Sequence, residues 1–234
     1  MARISVCLAT HNGEKFLKEQ IDSILDQLEA DDELIISDDG SEDATISLIH
    51  AYRDKRLKFY ACPIKKNPIK NFENGLKHCS GEFIFLSDQD DLWIPGKVAT
   101  MLESLKTYDL VLSDCTVVSE NLLPIWPSLF ELNNASTGLW KNLWKNRYVG
   151  CCMAFRRKVL DKAMPFPEDI PMHDQWIGLV AELFFKPILI NDQLSLYRRH
   201  DNNVTKTGIK SNNNLLTKIK FRFNLISNLI RLYV

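Results

Sequence analysis

Phe83-Ile84-Phe85-Leu86-Ser87-Asp88-Gln89-Asp90-Asp91 passes from four apolar residues straight into three carboxylates. A short apolar run closed by polar residues reads as a buried strand, so the acidic cluster lies where a strand ends. In an open parallel sheet that end is where ligands bind, because the loops there converge and their backbone is not committed to the ladder.

The same sequence of events occurs twice upstream. Ile4 to Leu8 is β-prone and runs into Ala9-Thr10-His11-Asn12-Gly13, after which Phe16, Leu17, Gln20, Ile21, Ile24, Leu25 and Leu28 recur at helical spacing. Glu33 to Ile36 is a second strand, closed by Ser37-Asp38-Asp39-Gly40-Ser41 and followed by helical Thr45, Leu48, Ile49 and Tyr52. Leu57 to Ala61 reads as a third strand, and a helix begins at Asn71. The βαβα rhythm predicts an α/β fold, Rossmann-like, with a mostly parallel central sheet flanked by helices. Beyond the acidic cluster, helical spacing returns at Val98 to Leu105. Leu110 to Leu112, Thr116 to Val118, Tyr148 to Phe155, Pro187 to Ile190 and Leu194 to Tyr197 are strand-like, and Asp174 to Phe184 is helical. Leu122 to Asn146, with three Trp and no clear period, reads as an irregular insertion.

Bulk properties narrow the class. At 234 residues and 45% apolar the chain suits one α/β domain with a short appendage. With 29 basic and 30 acidic residues it has no basic excess with which to bind nucleic acid through phosphates. The six cysteines, Cys7, Cys62, Cys79, Cys115, Cys151 and Cys152, form no CxxC pair and read as reduced thiols. No apolar window approaches the roughly 18 to 20 residues of a spanning helix, and the N-terminus lacks a signal segment. The expected location is therefore cytoplasmic. Leu215 to Val234 sets Leu215, Ile219, Phe223, Ile226, Ile230 and Tyr233 on one stripe, with Lys218, Lys220, Arg222 and Arg231 around it and no acidic residue. Two readings stand side by side: a helix lying on an anionic bilayer at the inner face of the plasma membrane, and a helix packing on its own domain. The expected division is a domain over 1–205 and a basic amphipathic helical segment over 206–234.

Three carboxylates in so short a span repel one another, and a divalent cation relieves that repulsion. All-oxygen ligands without nearby His or Cys in sequence point to Mg²⁺ or Mn²⁺ rather than zinc, completed by substrate phosphates. The alternative is that Asp88 to Asp91 caps the helix that follows Pro95. Asp38-Asp39-Gly40-Ser41 reads equally as a turn with a helix cap or as a carboxylate binding a base or ribose.

Four landmarks in order, Ile4-Ser5-Val6-Cys7-Leu8-Ala9-Thr10-His11-Asn12, Ser37-Asp38-Asp39-Gly40-Ser41, Ser87-Asp88-Gln89-Asp90-Asp91-Leu92-Trp93-Ile94-Pro95 and His173-Asp174-Gln175-Trp176, resemble those of family 2 glycosyltransferases with the GT-A fold. The resemblance implies that Ala9 and His11 lie around a nucleotide base with Asp39 as its polar anchor. The family often has an aromatic residue where His11 stands. Asp88 and Asp90 match the two carboxylates of its DxD signature, Asp90 as the metal ligand and Asp88 shared between metal and ribose. Asp174 matches the carboxylate that activates the acceptor, although it could also be a helix N-cap. Tyr197-Arg198-Arg199-His200-Asp201-Asn202-Asn203-Val204-Thr205 resembles the C-terminal loop over the donor diphosphate, where His200 and Arg198 would act.

The activity so implied is transfer, with inversion, of a sugar from a nucleotide-sugar donor to a glycan or lipid-linked saccharide acceptor. In motif form the chain is most similar to bacterial polysaccharide-building enzymes, rhamnosyltransferases among them. A sugar nucleotidyltransferase is the rival enzyme, but Leu8-Ala9-Thr10-His11-Asn12-Gly13 lacks the Gly-rich basic loop that activity favours. A non-catalytic carbohydrate- or nucleotide-binding module is the other rival, against which stand Asp90 and Asp174 together.

Overall fold

The computed structural model describes residues 3–200, 203 and 214–233. The expected mostly parallel sheet is present. Its strands are β1 (Ile4–Thr10), β2 (Glu33–Asp38), β3 (Leu57–Ala61), β4 (Phe83–Asp88), β5 (Leu92–Trp93), β6 (Leu110–Ser119), β7 (Pro124–Trp126), β8 (Met153–Arg156) and β9 (Pro187–Arg199). They lie in the order β3-β2-β1-β4-β8-β6-β9-β5, with β7 beside β6. β3, β2, β1, β4, β6 and β9 share one direction, while β5, β7 and β8 run against it.

Side chains alternate across these strands, so each face is covered by helices. One face carries Val6, Leu8, Leu34, Ile36 and Phe85, packed against α1 (Leu17–Leu25), α2 (Thr45–Ala51) and α4 (Lys97–Leu105). The other carries Cys7, Ile35, Ile84 and Leu86, packed against α3 (Pro68–His78), α7 (Arg157–Ala163), α8 (His173–Phe184) and part of α9 (Leu215–Tyr233). Each Ile, Leu or Phe sealed there contributes about 1.5 to 3 kcal/mol. All six cysteines are free and buried.

The structure departs from the sequence expectation where elements are short or bent. Residues 122–146 are ordered as β7, α5 (Leu129–Asn133) and α6 (Leu139–Trp144), helices too short to display a period. The third helix starts at Pro68 rather than Asn71, because the Asn67 side chain accepts the Lys70 amide and proline suits the first turn. The paired strand segments expected at 110–118 and 187–197 are two continuous strands with irregular register around Asp114. Within 148–155 only the last residues join the sheet, since Gly150–Cys152 is a 3-10 turn. The short helix α7 and the two-residue β5 had no sequence signal.

The expected helix over the C-terminal segment is present as α9, but it docks through Leu225, Asn228 and Leu229. The boundary proposed at 205/206 lies outside the described residues. No helix among the described residues is long and apolar enough to cross a membrane.

Candidate active site

The parallel register places the three polar strand ends side by side. Ala9 pairs with Ser37 of β2 and with Asp88 of β4, and Thr10 pairs with Asp38. Asp88 and Asp39 therefore flank the end of β1 on opposite sides.

The two acids of the second strand end divide their work. Asp38 is consumed by the turn: Oδ1 accepts the amides of Gly40 and Ser41 at 2.9 and 2.8 Å, and Oδ2 accepts the hydroxyls of Thr10 and Ser41 at 2.9 and 2.6 Å. Gly40 has φ +81°, a conformation costly for any residue with a Cβ. Asp39 is free to serve a ligand. Its Oδ2 accepts the Asn67 amide at 2.7 Å, whereas Oδ1 is buried without a protein partner. Such an orphan acceptor costs about 1 to 3 kcal/mol unless a ligand satisfies it.

His11 is fixed through its backbone. The Gln89 side chain accepts the His11 amide at 2.8 Å and donates to its carbonyl at 3.0 Å, tying the first loop to the acidic one. Gly13 leaves room for this clasp, since a Cβ there would lie 2.4 Å from Gln89 Oε1.

The acidic loop is neither a helix cap nor a solvated turn. The N-cap of α4 is Gly96. Asp88, Asp91 and Cys151 each offer a ligand atom, all within 4.8 Å of one another. Burial, with Asp90 and Asp174 nearby, pushes the Asp88 carboxyl up to about 8. Burial, with Asp90 and Asp88 nearby, holds Asp91 well above the carboxylate range. Asp91 Oδ1 accepts the Arg198 amide at 3.0 Å, and its Oδ2 is buried without a partner. Asp90 Oδ2 meets His200 Nε2 at 2.8 Å and the Asn203 side-chain amide at 3.0 Å. Crowded, half-satisfied carboxylates of this kind fit a divalent cation, but the expectation of acids without His or Cys nearby is corrected: the fold brings Cys151 and His200 up to them from distant positions in the chain.

Beneath them lies Lys97, which the sequence reading passed over. It is fully buried, and its ammonium donates to the Cys151 carbonyl at 2.7 Å and the Ser195 hydroxyl at 2.6 Å. Its charge favours ionised Asp88. A lysine in the first turn of a helix opposes the helix dipole, and that misfit was the available signal.

The end of β9 reaches this loop because Leu196 and Ser195 pair with Leu92 and Trp93, immediately after the acids. Arg198 is buried, its guanidinium donating to the Asp90 carbonyl at 2.8 Å, the Glu120 carbonyl at 2.8 Å and Glu19 at 2.7 Å. It also lies 4.4 Å above the Phe16 ring. Arg198 thus braces the loop from behind, while His200 touches the Asp90 carboxylate itself. Asp201, Asn202, Val204 and Thr205 lie outside the described residues.

Asp174 stands in the first turn of α8, whose N-cap is Met172, so it is not itself the cap. Its Oδ1 accepts the Gln175 amide at 2.6 Å and the Asn146 side chain at 3.1 Å. Burial nevertheless raises its carboxyl to about 6, a value suited to accepting a proton near neutral pH. Asp174 lies near enough for its charge to be felt at Asp88. The neighbouring His173 stacks on Phe72 at 3.9 Å and is held neutral by burial, down to about 3. Trp176 is buried in the core, with its indole N–H donating to the Ala163 carbonyl. The fold brings Ala9 beside Asp88, ties the His11 loop to the acidic loop through Gln89, sets His200 on Asp90, and brings Asp174 near enough for its charge to reach Asp88. Gln89, Asn146 and Lys97 are unforeseen supports of this arrangement.

Comparison with known proteins gives a consistent picture. The model of the family described as Glycosyl transferase family 2 matches residues 5–163. A GalNAc(5)-diNAcBac-PP-undecaprenol beta-1,3-glucosyltransferase of Campylobacter jejuni is 29% identical over 204 residues, covering 85% of this chain and 65% of that protein. The dTDP-rhamnosyl transferase RfbG of Shigella flexneri is 25% identical over 221 residues, covering 86% of this chain and 74% of its own. S. aureus TarS 1-349, solved in complex with UDP-GlcNAc, superposes with a TM-score of 0.68 at 23% identity, over 87% of this chain and 60% of that one. The last likeness shows a shared GT-A fold. The chain spans less than two thirds of the length of the Campylobacter relative and of TarS.

Proposed function

Since the chain belongs to glycosyl transferase family 2, we propose that its cleft moves a sugar, with inversion, from a nucleoside-diphosphate sugar to a hydroxyl of a glycan or lipid-linked saccharide in the building of a bacterial surface polysaccharide. The observation that supports this reading is a pair of unlike carboxylate sites near enough to feel each other's charge: a crowded acidic loop fit for a cation, and a separate buried carboxylate, Asp174, tuned to about 6.

Each role follows from local chemistry. Asp39 Oδ1, buried without a partner, accepts a hydrogen bond from the base or ribose of the donor. Ala9, the small residue between Ser37 and Asp88, leaves space for the nucleoside, and His11 borders it. Asp90 and Asp88 would hold Mg²⁺ or Mn²⁺; Asp88 shares its ligand cluster with Asp91 and Cys151, and Asp90 stands beside it against His200 and Asn203. When bound, the cation supplies positive charge against the donor diphosphate. His200, against Asp90, supplies a polar contact on the diphosphate side, and Arg198 keeps that strand end in place. Asp174 takes the proton of the acceptor hydroxyl as its oxygen attacks the anomeric carbon, and the nucleoside diphosphate leaves from the opposite face. Asn146 and the Gln175 amide aim the carboxylate.

The names of the Campylobacter and Shigella relatives favour a lipid-linked acceptor and a hexose or deoxyhexose donor. The domain proposed for this work is 1–205, with 206–234 as an appended basic amphipathic segment whose part 215–234 makes peripheral contact with the inner face of the membrane.

A thermal-shift panel of UDP-, GDP-, CDP- and dTDP-sugars, each with and without Mn²⁺, tests the reading, since a ligand that binds the native state raises its apparent stability. A metal-enhanced rise with one donor is expected. No metal-enhanced rise with any donor would overturn it.

A further inference from the structure

We propose that the exposed face shared by α6 and α9 is a dock for an anionic phospholipid surface, seated beside the acceptor side of the cleft. The stripe on α9 is turned outward. Leu215, Ile219, Phe223, Ile226, Ile230 and Tyr233 are exposed, from 38% at Ile226 to 74% at Tyr233. A helix lying on its own domain buries its apolar stripe. Here the buried positions are Leu225, Asn228 and Leu229, and the orientation is pinned: Asn228 donates to Asp169 at 2.8 Å, and Lys162 donates to the Leu232 carbonyl at 2.8 Å.

The neighbouring α6 presents Trp140 and Trp144, 76% and 72% exposed. The two helices form one surface. The Arg222 guanidinium donates to the Trp144 carbonyl at 2.9 Å and stacks 4.0 Å over its indole. Trp140, Trp144, Arg222 and Ile226 line a shared open cleft of about 570 Å³. Large apolar side chains exposed together on two joined helices differ from the singly scattered ones of an ordinary surface and mark a binding surface.

Charge decides the occupant. Lys141, Lys145 and Arg147 flank the tryptophans, and Lys218, Lys220, Arg222 and Arg231 flank the stripe, whereas neither α6 nor α9 contains Asp or Glu. A symmetric second copy would bring cations against cations. A bilayer bearing anionic headgroups complements them, with Trp at the headgroup level and the aliphatic stripe below it.

The face also adjoins the chemistry. The Asn142 carbonyl of α6 accepts from Gln175 at 2.9 Å, and Asn146 just after α6 donates to Asp174. Docking thus holds the Asp174 side of the cleft toward the lipid surface. This last link rests on the proposed sugar transfer; the dock itself does not, and its test uses no donor.

The test is cosedimentation of the full chain with vesicles of phosphatidylglycerol and phosphatidylethanolamine, or of phosphatidylcholine alone. Wild type is expected to bind the anionic vesicles about tenfold or more tightly than the neutral ones, and to weaken as salt rises. A Trp140→Ser/Trp144→Ser/Ile219→Ser/Phe223→Ser variant, checked for an unchanged melting temperature, loses binding about tenfold or more. A Lys220→Glu/Arg231→Glu variant loses the preference for anionic lipid while keeping its fold. The proposal is overturned if wild type binds neither vesicle, or if the apolar variant binds as wild type does. It is equally overturned if sedimentation equilibrium shows a dimer that the apolar substitutions dissolve.

Discussion

Asn146→Ala should move the acidic limb of the pH–rate profile without destroying the enzyme. Asp174 is opposed in its charged form by burial and held near 6 by the hydrogen bonds it accepts, among them that of Asn146 at 3.1 Å. A hydrogen bond to a charged group is worth roughly 1.5 to 3 kcal/mol, and each pKa unit corresponds to about 1.4 kcal/mol, so removing it raises the carboxyl by roughly one to two units. A general base works ionised, so activity rises with pH through its pKa and falls tenfold per unit below it. The assay is kcat/KM for nucleoside-diphosphate release between about pH 5 and 9, with wild type expected to turn over at about 6. In Asn146→Ala the limb lies roughly one to two units higher, the loss is roughly five- to fiftyfold at about pH 6, and the two profiles meet at high pH. A uniform loss at every pH, with the limb unmoved, would refute the assignment of Asp174 as the titrating base held by Asn146.

Three further outcomes follow from other contacts. Asp39→Asn weakens donor binding by roughly 10- to 100-fold in calorimetry, the value of a charge-assisted hydrogen bond, while kcat with saturating donor changes little. Lys97→Met strands the Cys151 carbonyl and the Ser195 hydroxyl beneath uncompensated acids, and lowers stability by about 3 to 5 kcal/mol in urea melts. Glu33 is opposed by burial, yet the Lys58 ammonium and the Ser5 and Ser80 donors pull its carboxyl down to about 2 from an ordinary 4.5. A depressed carboxylate stabilises above its unfolded pKa and loses that contribution as pH falls through the folded one. The stability advantage of wild type over Glu33→Gln, about 3 kcal/mol at neutral pH, therefore disappears between about pH 4.5 and 2.

The parallel half of the sheet was legible because its strands are continuous apolar runs, each closed by a polar strand end, and such runs show in sequence. Ile4 to Leu8, Glu33 to Ile36 and Phe83 to Leu86 read as strands from sequence, each two residues shorter than the strand it forms, and their polar ends hold Ala9, Asp39 and Asp88. Residues whose importance lies in what they touch at long range were hidden. Gln89 matters through the backbone of His11, Asn146 through Asp174, and Lys97 through a carbonyl more than fifty positions away. The stripe on α9 was legible as a pattern, but an amphipathic period does not say which face the domain covers. That depended on Asn228 meeting Asp169 and on Leu225 and Leu229 finding the core.

The central claim is that one cleft binds a nucleotide sugar and that Asp174 alone supplies the proton acceptor. The most direct measurement pairs donor affinity with turnover in Asp174→Asn in the presence of Mn²⁺. In the proposed mechanism Asp174 serves the acceptor rather than the nucleotide, so the donor dissociation constant should stay within about twofold of wild type, while turnover falls by about 10² to 10⁴. Turnover equal to that of wild type, with donor binding intact, would contradict the account.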